Sequence, residues 1–188
     1  MANFIEEITN YKPICEQEES DKKMFLNSIK TFDNVLTRDC ELCHFCSSAF
    51  IVNKEHTKVL CIYHNIYKSW CWVGGHADGD DDFLYVAKKE TAEETGLTNV
   101  NLLGNGVAAI DAICVNSHIK RGKFVSSHIH LNCTYILEAD ENDKIRILPD
   151  ENSKIAWLTF DELLEKSTEP HMIPIYKKLI TKVRENNF

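Results

Sequence analysis

The sequence has no apolar stretch that could cross a bilayer. Its longest runs, Ser47–Val52 and Lys58–Tyr63, fall far short of the roughly 20 residues a spanning helix needs, so no membrane partner is expected. Met1–Tyr11 carries two glutamates among its apolar residues instead of a basic-then-apolar layout, so no secretory leader is expected and a cytoplasmic location is. Positive charge is in short supply. Lysine and arginine number 21 against 29 acidic residues, a formal charge of −8, and the one basic cluster is Lys120, Arg121 and Lys123. Such a surface repels nucleic-acid phosphates, so no nucleic-acid polymer is expected as a partner. Internal repeats and low-complexity segments are absent too.

Eight cysteines are present, but without an export signal, and at a length that needs no staples, they read as reduced thiols. Cys40, Cys43 and Cys46 form C-x2-C-H-x-C with His44, and these are zinc-ligand types. Closed zinc sites usually draw on two separated pairs, whereas these residues run into an expected strand whose alternation divides them between two faces. Zinc on this run is therefore disfavoured without being excluded.

At 188 residues and 44% hydrophobic content, the chain can bury one good core and is short for two domains. Met24, Phe25, Ile29 and Phe32 recur at helical intervals within the first forty residues, as on an amphipathic helix. Strands are expected at Phe45–Val52 and Lys58–Tyr63 about a turn at Asn53–Thr57, and again at Ser69–Val73. A loop rich in glycine and aspartate, Gly74–Asp82, leads into a helix from Phe83 that Gly96 stops. Strands are expected next at Asn105–Val115 and Val125–Leu137, joined by the polar connection Asn116–Lys123. In the second, Val125, Ser127, Ile129, Leu131, Cys133, Tyr135 and Leu137 share one face, and Ser126, His128, His130 and Asn132 the other. A short strand ending at Trp157 and Leu158 precedes helices at Phe160–Lys166 and Pro170–Val183, the latter turning Ile173, Tyr176, Leu179 and Ile180 inward.

The chemistry lies on the helix after the glycine loop. Glu90, Glu93 and Glu94 are three and four residues apart and so share one side, and that side continues the apolar stripe of Phe83, Val86 and Ala87. A solvated acidic face is the ordinary reading of such a cluster. This stripe faces the protein body, where three like charges are strongly unfavourable unless a cation neutralises them. Oxygen-only ligands suit Mg²⁺ or Mn²⁺, which complete their shells with water and phosphate oxygens.

The stretch GGHADGDDDFLYVAKKETAEETGL, Gly74–Leu97, resembles the box of the Nudix hydrolase family, G-x5-E-x7-R-E-U-x-E-E-x-G-U with U a bulky apolar residue. Gly75 matches the leading glycine, Glu90, Glu93 and Glu94 the helix carboxylates, and Gly96 and Leu97 the closing pair. Three positions depart. Asp81 stands for glutamate, Lys89 for arginine and Thr91 for an apolar residue; lysine lacks the bidentate fork of arginine, so the Asp81–Lys89 support of the box should be weaker.

The resemblance implies an α+β fold, a Nudix-type α/β/α sandwich with a mixed β-sheet, spanning 41–188 behind an N-terminal helical extension at 1–40. It also implies a divalent-metal-dependent hydrolase, using Mg²⁺ or Mn²⁺ to cleave a diphosphate linkage in a nucleoside diphosphate joined to another moiety or in a related small phosphorylated metabolite. Two alternatives are a diphosphate isomerase on the same fold and a nucleotide-sensing module without turnover. Metal ligands carried over are Glu93 and Glu94, then Glu90 and the Gly75 carbonyl. The family often adds a carboxylate, as ligand or general base, shortly before a tryptophan-containing strand. Glu151, six residues before Trp157, fits that place, with Asp150, Glu138 and Asp111 as rivals and a plain turn acid as its ordinary reading.

Substrate contacts are sought at Trp72, Arg121, Lys123, His128 and His130. The histidines read equally as hydrogen-bonded sheet residues, the basic residues as an unliganded surface loop or a phosphate grip, and Trp70 and Trp72 as packing or as base-stacking surfaces. The N-terminal extension is expected either to cover the substrate cleft or to form a homodimer contact.

Overall fold

The computed structural model describes residues 4–120 and 122–188. Its elements in chain order are α1 (Phe4–Asn10), α2 (Glu16–Thr31), β1 (Cys43–Asn53), β2 (Lys58–His64), β3 (Ser69–Cys71), β4 (Val73–His76), α3 (Phe83–Thr95), β5 (Asn101–Leu102), β6 (Ala109–Val115), β7 (His118–Lys120), β8 (Lys123–Val125), β9 (His128–Ala139), β10 (Asn152–Thr159), α4 (Phe160–Lys166) and α5 (Ile173–Arg184). None of the described helices is long and apolar enough to cross a membrane.

An eight-stranded mixed sheet forms the middle layer. Its main path runs β10-β2-β1-β9-β5, with β3 on β2, β4 on β1 and β6 on β9. The central pair, β1 and β9, is parallel along its whole length, from Cys43 opposite Ile129 to Asn53 opposite Ala139. On its other edge β1 changes partner: Val52 pairs with Val59 of β2, while Cys46–Ala49 pair antiparallel with β4. Helices cover both faces of the sheet at β1, and every residue of β1 is buried.

The period of two then assigns each face its own core. Phe45, Ala49 and Ile51 of β1 join Leu131, Cys133, Tyr135 and Leu137 of β9 beneath Ile8 of α1, Phe25 of α2 and Phe83 and Ala87 of α3. Phe50, Val52 and Ile136 point the other way, onto Phe160 and Leu163 of α4 and Tyr176, Leu179 and Ile180 of α5. Helices therefore cover both faces, giving the α/β/α sandwich. Residues of the first forty take part in the shared core: Phe4 packs edge-on against Phe45 at 5.6 Å between ring centroids and lies 5.5 Å from Phe83.

Several expectations need correction. Met24 is 43% exposed, because only Phe25 of that adjacent pair turns inward on the helix. The strand expected from Asn105 begins at Ala109, since Leu103 and Ala108 bond to Ile136 and Thr134 of β9 across an irregular segment. The polar connection 116–123 is not a plain loop but carries most of a small hairpin, β7 with β8, outside the main sheet. That hairpin takes Val125, and the backbone breaks at 126–127 before β9 starts. Ile173 is only partly buried, at the start of its helix.

A buried ion cluster fastens α2 to the sheet and to α5. Lys178 Nζ lies 2.8 Å from Glu18 and 2.7 Å from Asp111, carboxylates that are 0% and 1% exposed. Tyr11 Oη donates to Glu18 at 2.7 Å and the Ile14 amide does so at 2.9 Å. The contact of Lys178 with Glu18 is close but out of line for a hydrogen bond, so charge attraction carries it. Removing the cation strands two carboxylates in the interior, a change that costs about 3–5 kcal/mol. Lys178→Met should therefore lower the urea midpoint by that amount of stability; a loss below about 1 kcal/mol would show that the cluster does not fasten the helix.

Candidate active site

The site is built where β4 passes between β1 and α3. Gly74 and Gly75 lie so close to their neighbours that a Cβ on Gly74 would overlap the Ser48 hydroxyl, and one on Gly75 would overlap the Glu90 carboxylate. The missing side chains make room for an acid against the strand backbone. After the loop, Asp82 caps α3 by accepting a hydrogen bond from the Tyr85 amide at 2.9 Å. Gly96 ends the helix in the left-handed region at φ 80°, its amide bonded to the Ala92 carbonyl.

That phase buries Phe83, Val86 and Ala87 and carries the acids into a cleft. Glu94 is 2% exposed and accepts a hydrogen bond from the Gly74 amide at 3.3 Å. Glu90 is half-buried, whereas Glu93 meets the cleft from its exposed rim. The expected inward convergence thus holds fully for Glu94, partly for Glu90 and least for Glu93.

Glu151 arrives from the turn before β10. Its amide bonds to the Leu148 carbonyl and its own carbonyl accepts from the Asn65 amide, both at 2.9 Å. The next residue, Asn152, is fully buried; its amide group donates to the Glu94 carbonyl at 3.1 Å and accepts from the Leu148 amide at 3.2 Å. This ties the turn to the end of α3 and brings the Glu151 carboxyl near enough to that of Glu94 to raise its proton affinity. Asp150 also lines the cleft. The other two rivals are committed elsewhere, Asp111 to Lys178 and Glu138 to His56 at 3.0 Å.

Burial pushes the Glu94 carboxyl well above the usual range, with repulsion from Glu90 and Glu151 adding to it. Burial likewise lifts Glu90 to about 7, helped by Glu93, Glu151 and Asp78 and opposed by Lys89. A proton or a cation must sit among these groups near neutrality. The oxygen-only donor set suits a hard divalent ion.

Asp81 and Lys89 are both exposed, and among the described residues they form no ion pair with each other. The loop is braced from elsewhere. Arg38 donates two hydrogen bonds to Asp78, at 2.7 and 2.6 Å, holding that residue at φ 49°, and the Gly79 amide bonds to the Leu36 carbonyl at 2.9 Å. Neither contact was readable from spacing, because the two segments are some forty positions apart and meet only through the sheet.

The cleft measures about 1130 Å³. His128 and His130 line its floor, joined by His44 of the C-x2-C-H-x-C run and by His76, which no motif had singled out. Burial pushes His44 below its ordinary range. Trp72 is 8% exposed and stands edge-on to Tyr176 at 5.5 Å, so most of its ring is in the core. Trp70 packs edge-on against Tyr63. Lys123 is exposed on β8, outside the cleft lining, and Arg121 lies outside the described residues. The same hairpin offers Ile119 and Phe124, 61% and 69% exposed, at the cleft mouth; two large apolar side chains within a polar, basic connection were the available signal.

The NUDIX domain model matches residues 45–179. The chain belongs to the NUDIX family, a family of hydrolases that generally use divalent metal ions. Solved structures share the NUDIX fold. An Ap4A hydrolase from C. elegans aligns with a TM-score of 0.54 at 14% identity, over 74% of this chain and 98% of that one. The dihydroneopterin triphosphate pyrophosphohydrolase of E. coli gives 0.56 at 13% identity, over 73% and 95%. A NUDIX hydrolase from Clostridium perfringens gives 0.53 at 20%, over 73% and 96%. No curated protein matches the sequence.

Folding raises Glu90 from 4.5 to about 7 and Glu94 in the same direction, so between those pH values the folded chain keeps protons that the unfolded chain has released. The stability they contribute is complete below pH 4.5 and is lost as pH rises through 7. In chelator, the melting temperature should fall from about pH 5 to about pH 8, and Glu90→Gln should flatten that slope. A variant with the parental slope would refute the account.

Proposed function

We propose that this NUDIX protein is a Mg²⁺- or Mn²⁺-dependent pyrophosphohydrolase, acting in the cytoplasm on a small substrate in which a nucleoside diphosphate is linked to another group. The observation that carries the proposal is the buried Glu94 carboxyl, repelled by Glu90 and Glu151 and set against the Gly74–Gly75 backbone. A structural acid has no reason to occupy such a position, since its charge is penalised by burial and by its neighbours.

Glu90, Glu93, Glu94 and the Gly75 carbonyl would hold the metal. When bound, the divalent ion polarises phosphate oxygens and favours ionisation of water. Glu151 takes the proton of the attacking water, whose oxygen bonds to phosphorus as the bridging P–O bond of the diphosphate breaks and its electron pair leaves with the departing phosphate. Lys89, whose charge opposes the raised proton affinity of Glu90, lies on the cleft side of the helix and supports the ionised form of the set. Support of the box loop is assigned mainly to Arg38 through Asp78, with Asp81 a lesser contributor.

The cleft has room for a nucleotide-sized ligand. Phe124 and Ile119 offer an apolar surface to a base, and His128 offers polar contact on the floor. Lys123, on the hairpin strand β8, would attract the phosphates, and the same role is proposed for Arg121 from its basic side chain alone. Trp72 contributes an edge of the wall. Two of the fold neighbours are named for acting on Ap4A and on dihydroneopterin triphosphate, which is the substrate class to test first.

Phosphate release from dinucleoside polyphosphates, nucleoside triphosphates and sugar nucleotides should require Mg²⁺ or Mn²⁺. Glu151→Gln should lower kcat by roughly 10²–10⁴-fold with little change in KM. Glu94→Gln should abolish turnover and weaken Mg²⁺ binding while circular dichroism stays parental. Tight nucleotide binding without product over hours would overturn the proposal in favour of a sensor, and rearranged, unhydrolysed diphosphate in favour of an isomerase.

A further inference from the structure

The cleft floor holds a second group of potential ligands, chemically unlike the glutamates. His44 and Cys46 lie two apart on β1, so both point to the cleft side, while Cys43 faces the opposite core. Register supplies two neighbours on that same side: His130 of β9 stands directly beside His44, and His76 of β4 directly beside Cys46. One ligand atom from each of these four residues can be chosen so that all lie within 4.8 Å of one another.

From this we propose that His44, Cys46, His76 and His130 form a site for one zinc-type ion, separate from the carboxylate set and not required by the hydrolytic reading. Three imidazoles and a thiol are a borderline-soft donor set, suited to Zn²⁺ and poorly suited to Mg²⁺. In tetrahedral zinc with Zn–N about 2.0–2.1 Å and Zn–S about 2.3 Å, ligand atoms stand roughly 3.3–3.7 Å apart, so closing the ring takes movements on the order of 1 Å.

His44 gives an independent pointer. Its Nδ1 lies 3.1 Å from the Cys40 carbonyl, which can only accept, so the proton is on Nδ1 and the lone pair on Nε2. The residue is 4% exposed, and that Nε2 is buried with no hydrogen-bond partner. A buried basic nitrogen left unpaired is costly, and a metal ion satisfies it. The Cys40 carbonyl then acts as the outer partner that fixes ring and tautomer, the arrangement usual behind a ligating histidine.

His128 plays the same part for His130. Its Nδ1 donates to the Ser126 carbonyl at 2.8 Å, which leaves its Nε2 to accept from His130 Nε2 at 3.1 Å. His130 is thereby set with Nδ1 as its basic nitrogen. Bound ion would join β4, β1 and β9.

The test is metal content together with cobalt spectroscopy on the full chain, purified without chelator and with any affinity tag removed. We expect one zinc per chain. After zinc removal, Co²⁺ should give visible d–d bands of tetrahedral intensity and a near-ultraviolet thiolate-to-cobalt charge-transfer band. Cys46→Ser should abolish the charge-transfer band, and His76→Ala should weaken Co²⁺ binding more than roughly 100-fold, the upper end of the cost of losing an outer-sphere partner. Far-ultraviolet circular dichroism checks that each variant is folded; His76 is half-buried at the cleft and serves if Cys46→Ser fails to fold. Cys114→Ser, an exposed cysteine outside the cluster, and Glu94→Gln should both leave spectrum and stoichiometry unchanged. Absence of stoichiometric zinc together with no cobalt charge-transfer band overturns the site, as does a band that survives Cys46→Ser. Loss of the ion in Glu94→Gln would assign it to the carboxylates and overturn the proposal equally. None of these readouts depends on turnover, so a failure here is distinct from failure of the hydrolase reading.

Discussion

Glu94 sits in the interior with a backbone amide on one side and a second carboxyl on the other, and much of the local structure exists to keep it there. Two adjacent glycines remove the side chains that would fill its space and that of Glu90. The buried Asn152 grips the Glu94 carbonyl and so fixes how near Glu151 can come. Leu36 and Arg38 hold the loop from behind. Each device is cheap alone, but together they confine like-charged groups that in water would separate, and confinement of that kind is what makes a carboxyl cluster respond strongly to a proton or a cation.

The helix beneath the acids shows how such a site is made compatible with a packed core. Thr91 and Thr95 are fully buried, in positions facing the core. Thr91 donates to the Ala87 carbonyl at 2.7 Å and Thr95 to the Thr91 carbonyl at 2.5 Å, so neither hydroxyl is an orphan. The departure from a bulky residue at position 91 therefore reduces packed volume and leaves no unsatisfied polar group. The carboxyl cluster depends on the acids and the glycines, which keep the box spacing without a gap.

Much of the fold was legible because period and punctuation agreed. The strand at Lys58–His64, the helix from Phe83 to the Gly96 stop and the helix at Phe160–Lys166 follow from alternation, 3.6-residue stripes and caps that are local properties. Glu151 could be nominated because the family resemblance puts an acid shortly before a tryptophan-containing strand. What stayed hidden is set by pairing between distant strands. Arg38 reaches Asp78 only once β1 and β4 are side by side, and His76 meets Cys46 only through their register. The cysteine run was correctly split by alternation, yet the half that faces the cleft finds partners from two other strands, which no reading of one segment could supply. The hairpin at 118–125 escaped for the opposite reason: it is polar and short, and pairs only with itself.

The two donor sets lie side by side without competing for the same kind of ion, and β4 explains how. Gly75 pairs with Ser47 and His76 with Cys46, so consecutive residues turn to opposite sides of the strand. The bare side of Gly75 meets the Glu90 carboxylate, and the next residue would present its imidazole to the proposed nitrogen and sulfur ligands on the other side. Affinity for divalent ions at a nitrogen and sulfur site rises steeply from manganese to zinc, while magnesium prefers oxygen and keeps its waters. A zinc-type ion drawn to the cleft would therefore settle on the histidine and cysteine side, leaving the glutamates to the abundant hard cation. If both proposed sites bind their ions, the soft site would shield the carboxylates from the wrong metal by offering it a better donor set.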